Sequence, residues 1–149
     1  MHDPFSQLPS KACRTLAMQK GDVLFRQMQT TSGLYRVVSG CVTLQRTGLH
    51  GDTLTLHKAV SGGFFAEASV FSATYHCDAI CTEAGSVVKI AKAAIVSTMQ
   101  CDPAFSEGFT RLLAIQVQQY RAHIELLAIP SAKDRLLAAV QAGYFDATV

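Results

Sequence analysis

Leu34-Tyr35-Arg36-Val37-Val38-Ser39-Gly40-Cys41-Val42-Thr43-Leu44-Gln45-Arg46 is dense in β-branched and aromatic residues and is broken once, at Ser39-Gly40. It reads as two strands joined at a glycine corner, since glycine takes a sharp bend without a side-chain clash. Outward from it, between Lys20 and about Ile95, glycines recur at short intervals (Gly21, Gly33, Gly40, Gly48, Gly51, Gly62, Gly63, Gly85) with strand-forming runs between them. Thr53-Leu54-Thr55-Leu56-His57 alternates cleanly, and Ser86-Val87-Val88-Lys89-Ile90 is a further candidate strand. That rhythm predicts a sandwich or barrel of short antiparallel strands.

After Lys92 the period changes. Ala93 to Gln100 reads as a short helix, Asp102-Pro103 as a cap with proline at the first helical position, and helical apolar spacing then runs to Ile129. Within this long helix Leu113, Val117, Tyr120, Ile124 and Leu127 fall at alternating spacings of four and three, the a/d seam of a coiled coil. A helix packed on its own sheet is the plainer reading of such a short seam. Phe105, Phe109 and Leu112 lie on a neighbouring face and suit the sheet, which leaves the later seam for a parallel homodimer. Pro130 stops the helix. Ser131 then caps another, with Asp134 at the capping-box position, an apolar face at Leu136, Leu137 and Val140, and Gly143 as the stop. Phe145-Asp146-Ala147-Thr148-Val149 reads as a strand-like tail with nothing left to pair with.

A chain of 149 residues, 49% of them apolar, has the material for one substantial core and an appendage. Its net charge of +2 comes from scattered Lys and Arg, without the basic stripe that holds nucleic acid. The start, Met1-His2-Asp3-Pro4-Phe5, lacks the basic and apolar regions of a signal peptide, and no stretch approaches a membrane span. A cytoplasmic location is expected. Five irregularly spaced cysteines argue for reduced thiols, with Cys13, Cys41 and Cys101 read as buried structural residues.

The order of these parts is similar to the effector half of Crp/Fnr-type bacterial transcription regulators. The residues that carry the resemblance are Lys20-Gly21-Asp22-Val23-Leu24-Phe25, the run from Leu34 to Val42, the segment Gly62-Gly63-Phe64-Phe65-Ala66-Glu67-Ala68-Ser69-Val70-Phe71, and the long helix before Pro130. The resemblance implies a mainly β fold with α: a cyclic-nucleotide-binding-like β-roll, or jelly roll, followed by a long C-terminal dimerisation helix. It divides the chain into a roll at 1–100, the dimerisation helix at 101–130 and the start of a DNA-binding domain at 131–149. It also implies a homodimer with a small-molecule effector, touching DNA only through a domain absent here, as in a truncated product or an excised sensor.

The segment from Gly62 to Phe71 resembles the start of a phosphate-binding cassette. A short helix beginning near Glu67 would aim backbone N–H groups and its dipole at an anion, with Glu67 accepting from a ribose hydroxyl. The candidate pocket is Phe65, Ala66, Glu67, Ala68, Ser69, Cys77, Asp78, Tyr120 and Arg121. Where the family carries Arg-Ser/Thr-Ala, this chain reads Cys77-Asp78-Ala79, so the bidentate clamp on phosphate is missing. An Asp78 facing the site would repel a phosphate about 4 Å away by roughly 1 to 4 kcal/mol. Ala66 replaces the glycine before the glutamate. Counting back from Pro130, the two small hydroxyl residues that contact the purine in cyclic-AMP-binding members fall at Tyr120, large enough to fill the purine space, and Arg121, which reads first as a solvated helix-surface arginine and, as the alternative, as a cation offered from another direction. The expectation is a pocket that does not bind cyclic AMP in the usual way.

Two alternatives stay open. Some relatives sense haem-bound gases or redox state, and His76 or Cys77 would serve as an axial ligand. On one strand, however, Cys77 and Cys81 share a face about 13 Å apart, too far for a disulfide, and His76 points to the other side. A cupin-like metal enzyme is the second alternative, through His50, His57 and Glu67, but the spacing supplies no close His-x-His pair. No phosphate loop or nucleophile motif is present, so no catalytic residue and no metal ligand is assigned.

Overall fold

The stretch Gly33–Thr47 forms one bent strand rather than two. The computed structural model describes residues 3–143, so the strand-like reading of 145–149 lies outside the described residues. In chain order the strands are β1 (Cys13–Met18), β2 (Val23–Phe25), β3 (Gly33–Thr47), β4 (Thr53–Val60), β5 (Phe64–Phe65) and β6 (Asp78–Ala91). All pairings are antiparallel, in the order β1-β6-β3-β4, with β2 added to β6 and β5 to β3. A β-roll results.

The bend has a physical cause on both long strands. Gly40 sits at φ +83°, and a side chain there would meet the Glu83 and Ala84 carbonyls. Opposite it, a Cβ on Gly85 would lie 2.1 Å from the Ser39 carbonyl oxygen. Two backbones cross with no room for a methyl group, and the register of β3 on β6 shifts three times between Val37 and Val42. Bulges of this kind bend a strand while keeping it paired. The first half of β3 therefore pairs with β5 and the end of β6, and the second half with β4 and the start of β6.

Inside the roll, alternate residues meet in an aromatic core. Phe25 stacks on Tyr75 with ring centroids 3.8 Å apart, and Tyr35 on Phe65 at 5.0 Å. The Tyr75 hydroxyl donates to the Gly33 carbonyl at 2.9 Å and accepts from the Ser32 and Gly33 N–H groups. A buried phenol with its polar end satisfied adds packing without an orphaned hydroxyl.

Three helices follow: α1 (Lys92–Cys101), α2 (Pro103–Ala128) and α3 (Ala132–Gln141). The predicted caps are present, with the Asp102 carboxylate accepting from Phe105 N–H at 3.1 Å and the Ser131 hydroxyl from Asp134 N–H at 3.3 Å. The chain divides into two units, Met1–Ser106 and Glu107–Val149. Phe105, Phe109 and Leu112 are all buried. One cysteine expectation is corrected: Cys41 is buried, but Cys13 is half-buried and Cys101, the last residue of α1, is exposed, its thiol donating to the Ser97 carbonyl. Among the described residues no helix is long and apolar enough to cross a membrane.

Candidate functional site

The cassette begins where β5 delivers Phe65 into the aromatic core. The next residue, Ala66, takes the left-handed conformation at φ 66°, ψ 7°, which favours glycine and costs an L-residue on the order of 1 kcal/mol. Glu67–Ser69 then forms a single 3-10 turn. This corrects the expected helix: three residues do not sum to a useful macrodipole, so the dipole argument for anion binding at Glu67 falls. Glu67 and Ser69 are buried, while Ala68 is exposed.

Strand alternation then sorts the residues before and within β6. Cys77, Ala79 and Cys81 point into the core, and Asp78 points away from it. Asp78 is occupied: its carboxylate accepts from Gln27 N–H at 2.7 Å and pairs with Arg26 Nη1 at 3.3 Å. Its carboxylate is held by the segment after β2. Burial pushes the Cys77 thiol up, against the pull of Arg46 and with smaller pushes from Asp78 and Glu67, so this sulfur stays protonated.

Arg46, near the end of β3, was not singled out by its sequence position. Its Nε donates to the His76 carbonyl at 2.7 Å, and the His76 ring bonds through Nδ1 to the Ser69 hydroxyl at 2.7 Å. Ser69 is therefore tied to His76, the residue before Cys77, and His76 in turn to Arg46, whose side chain is exposed. Burial, and then Arg46, hold His76 below the ordinary imidazole pKa. The signal that would have found this cluster is the pairing of β3 with β6, Gln45 opposite Asp78, which local pattern does not reveal.

The structure thus groups Phe65, Ala66, Glu67, Ser69 and Cys77 in the first unit. Tyr120 and Arg121 lie exposed on α2 in the second. His50 is exposed, and His57 is half-buried on β4, its pKa lowered by burial. No three His, Cys, Asp or Glu side chains among the described residues are grouped to hold a metal ion.

Residues 15–102 match the cyclic nucleotide-binding domain family. No curated protein matches the chain. Among solved structures, the catabolite activator protein of Thermus thermophilus is 22% identical with a TM-score of 0.67, over 84% of this chain and 62% of that one. DNR from Pseudomonas aeruginosa is 23% identical with a TM-score of 0.65, over 78% and 52%. The sensor domain of the transcriptional regulator DNR is 21% identical with a TM-score of 0.63, over 82% and 79%. The chain spans less than two thirds of the first two proteins, and at these identities the likeness is one of fold.

Proposed function

The chain belongs to the cyclic nucleotide-binding domain family, and on that premise we propose that it is the effector-sensing and dimerising part of a Crp/Fnr-like bacterial transcription regulator that does not clamp a cyclic phosphate in the usual way. It acts in the cytoplasm without catalysis of its own. The observation that carries this reading is position 77, where a buried, protonated thiol stands in place of a guanidinium. Phosphate recognition in water needs charge-assisted donors, and a neutral thiol supplies at most a weak one. Arg46 approaches from a neighbouring strand and would have to turn from the His76 carbonyl to face an anion.

An effector bound in the roll acts only through a difference in affinity between two arrangements of the dimer helices. α3 is then the first element of the DNA-reading domain. Isothermal titration of the protein with cyclic AMP tests the ligand claim: no saturable heat through the micromolar range is expected, and a micromolar dissociation constant would overturn it.

A further inference from the structure

The register of the roll brings a second set of residues together on the face opposite the aromatic core. Thr15 pairs with Val88 and Arg36 pairs with Val88, so these three form one row across β1, β6 and β3. Cys13 and Ile90 form the next row. The neighbours Tyr35 and Val87 point the other way, into the core. The outer face is covered by the amino-terminal segment, which makes 3-10 turns at Pro4–Gln7 and Ser10–Ala12 and buries Phe5 and Leu8. The cover is incomplete. A cavity of about 380 Å³ remains, with Arg36 and Cys13 in its wall beside Phe5, Leu8, Val88 and Ile90.

We propose that this cavity is a binding site for a small amphipathic anion, a monocarboxylate with a short apolar body, whose carboxylate takes the place of Asp3 on Arg36. The volume falls within the range of small-molecule pockets, and the lining is mixed: the four apolar side chains suit a short apolar body, while Ser6, Ser10 and Thr15 stand beside the ion pair as further polar groups. The cation already holds a carboxylate: Arg36 Nη1 donates to Asp3 Oδ2 at 2.8 Å. The other Asp3 oxygen accepts from Phe5 N–H at 2.8 Å, so Asp3 both caps the first 3-10 turn and contributes to the cavity wall. The pair is partly exposed, at 39% and 24% of the two side chains, and exposed ion pairs are weak enough to be exchanged. Burial raises the Cys13 thiol, with Arg36 pulling it down and Asp3 pushing it up, as expected of a sulfur beside that pair.

The location gives binding a consequence. Phe5 packs on Phe64 with centroids 5.1 Å apart and lies edge-on to Phe105 at 5.9 Å. Phe64 is paired with Arg36 and leads directly into the cassette, while Phe105 stands in the first turn of α2. A ligand that releases Asp3 shifts Phe5, and with it both contacts. The site does not depend on what the cassette binds.

The test is an amide NMR titration of the whole chain with benzoate and hexanoate, with benzyl alcohol as the neutral control. Saturable shifts are expected at Phe5, Cys13, Thr15 and Phe64, with benzyl alcohol at least about tenfold weaker, the value of a charge-assisted hydrogen bond. Arg36→Gln should weaken benzoate by at least about tenfold on the same ground. Asp3→Asn keeps the capping oxygen and removes the competing charge, so it should tighten benzoate by roughly two- to fivefold. Benzoate should also slow alkylation of Cys13 by iodoacetamide, followed by peptide mass spectrometry. Shifts confined to residues 66–78, equal affinity for benzyl alcohol, or unchanged affinity in folded Arg36→Gln would overturn the proposal. If Arg36→Gln does not fold, Asp3→Asn decides, and unchanged or weaker binding refutes the site.

Discussion

Asp78 and His76 stand two positions apart with opposite consequences. Asp78 looks from sequence like a charge set against phosphate, yet its carboxylate is engaged by Gln27 N–H and Arg26. Replacing it alone should leave cyclic AMP unbound and instead cost stability. Asp78→Ala removes both interactions and is expected to lose about 1 to 2 kcal/mol in urea unfolding, since one partner is a backbone donor that must then find water. Asp78→Asn keeps an acceptor for Gln27 and should lose less than half as much; equal losses would contradict this account. His76 governs a pH dependence. Its folded pKa lies below the ordinary value of about 6.5, so just below that pH the unfolded chain binds the proton that the folded ring refuses. Stability is then complete above about pH 6.5 and falls as the pH drops through the folded value. His57, lowered by burial, acts in the same direction. Urea midpoints measured from pH 7.5 to 5.5 should decline, and His76→Gln should flatten part of the decline. A midpoint that rises on acidification would contradict the sign.

Among the elements, the crossing of β3 and β6 at Gly40 and Gly85 carries the largest consequence for folding. A methyl group on Gly85 meets Ser39 backbone, which moves only if the bulge opens. Gly85→Ala is therefore expected to destabilise by roughly 1 to 3 kcal/mol, the range for overpacking a tight site. Gly51→Ala, where an added Cβ meets nothing within 4 Å, should lose less and only through its positive φ; equal losses in thermal unfolding would argue against the crossing. The same corner separates what was legible in sequence from what was not. Ser39-Gly40 announced a bend, and Asp102-Pro103 and Ser131 announced helix starts, because capping and bending are local chemistry. That the bend lies within one strand depends on Gly85, forty-five positions away, and no local pattern couples them. The Glu67 helix was overread for a related reason: Ala66 at φ 66° shortens it to one turn, and alanine advertises helix rather than the left-handed state. Arg46 and the cavity over Arg36 stayed hidden because both arise from pairing between distant strands.

At the scale of the whole molecule, α2 supplies a physical case for association. Along its later half Val117 and Tyr120 are 47% and 43% exposed, Ile124 and Leu127 64% and 62%. From Leu113 to Leu127 the seam runs about 21 Å along the helix at the usual rise per residue. Large apolar side chains aligned over that length are better explained by a covering partner than by chance. A second copy of the helix matches the spacing, since a/d residues fill one another's gaps. Loss of a central contact in such a seam removes a disproportionate share of the association energy, and a carboxylate adds the cost of desolvation. The protein should sediment as a dimer, and Val117→Glu and Ile124→Glu should each raise the dissociation constant at least roughly tenfold. Gln118→Glu adds the same charge outside the seam and should leave the dimer intact. Equilibrium sedimentation distinguishes the outcomes: a wild-type monomer at high concentration, or a dimer indifferent to glutamate at 117 and 124, would remove α2 as the dimer seam and leave its apolar face in need of a different partner.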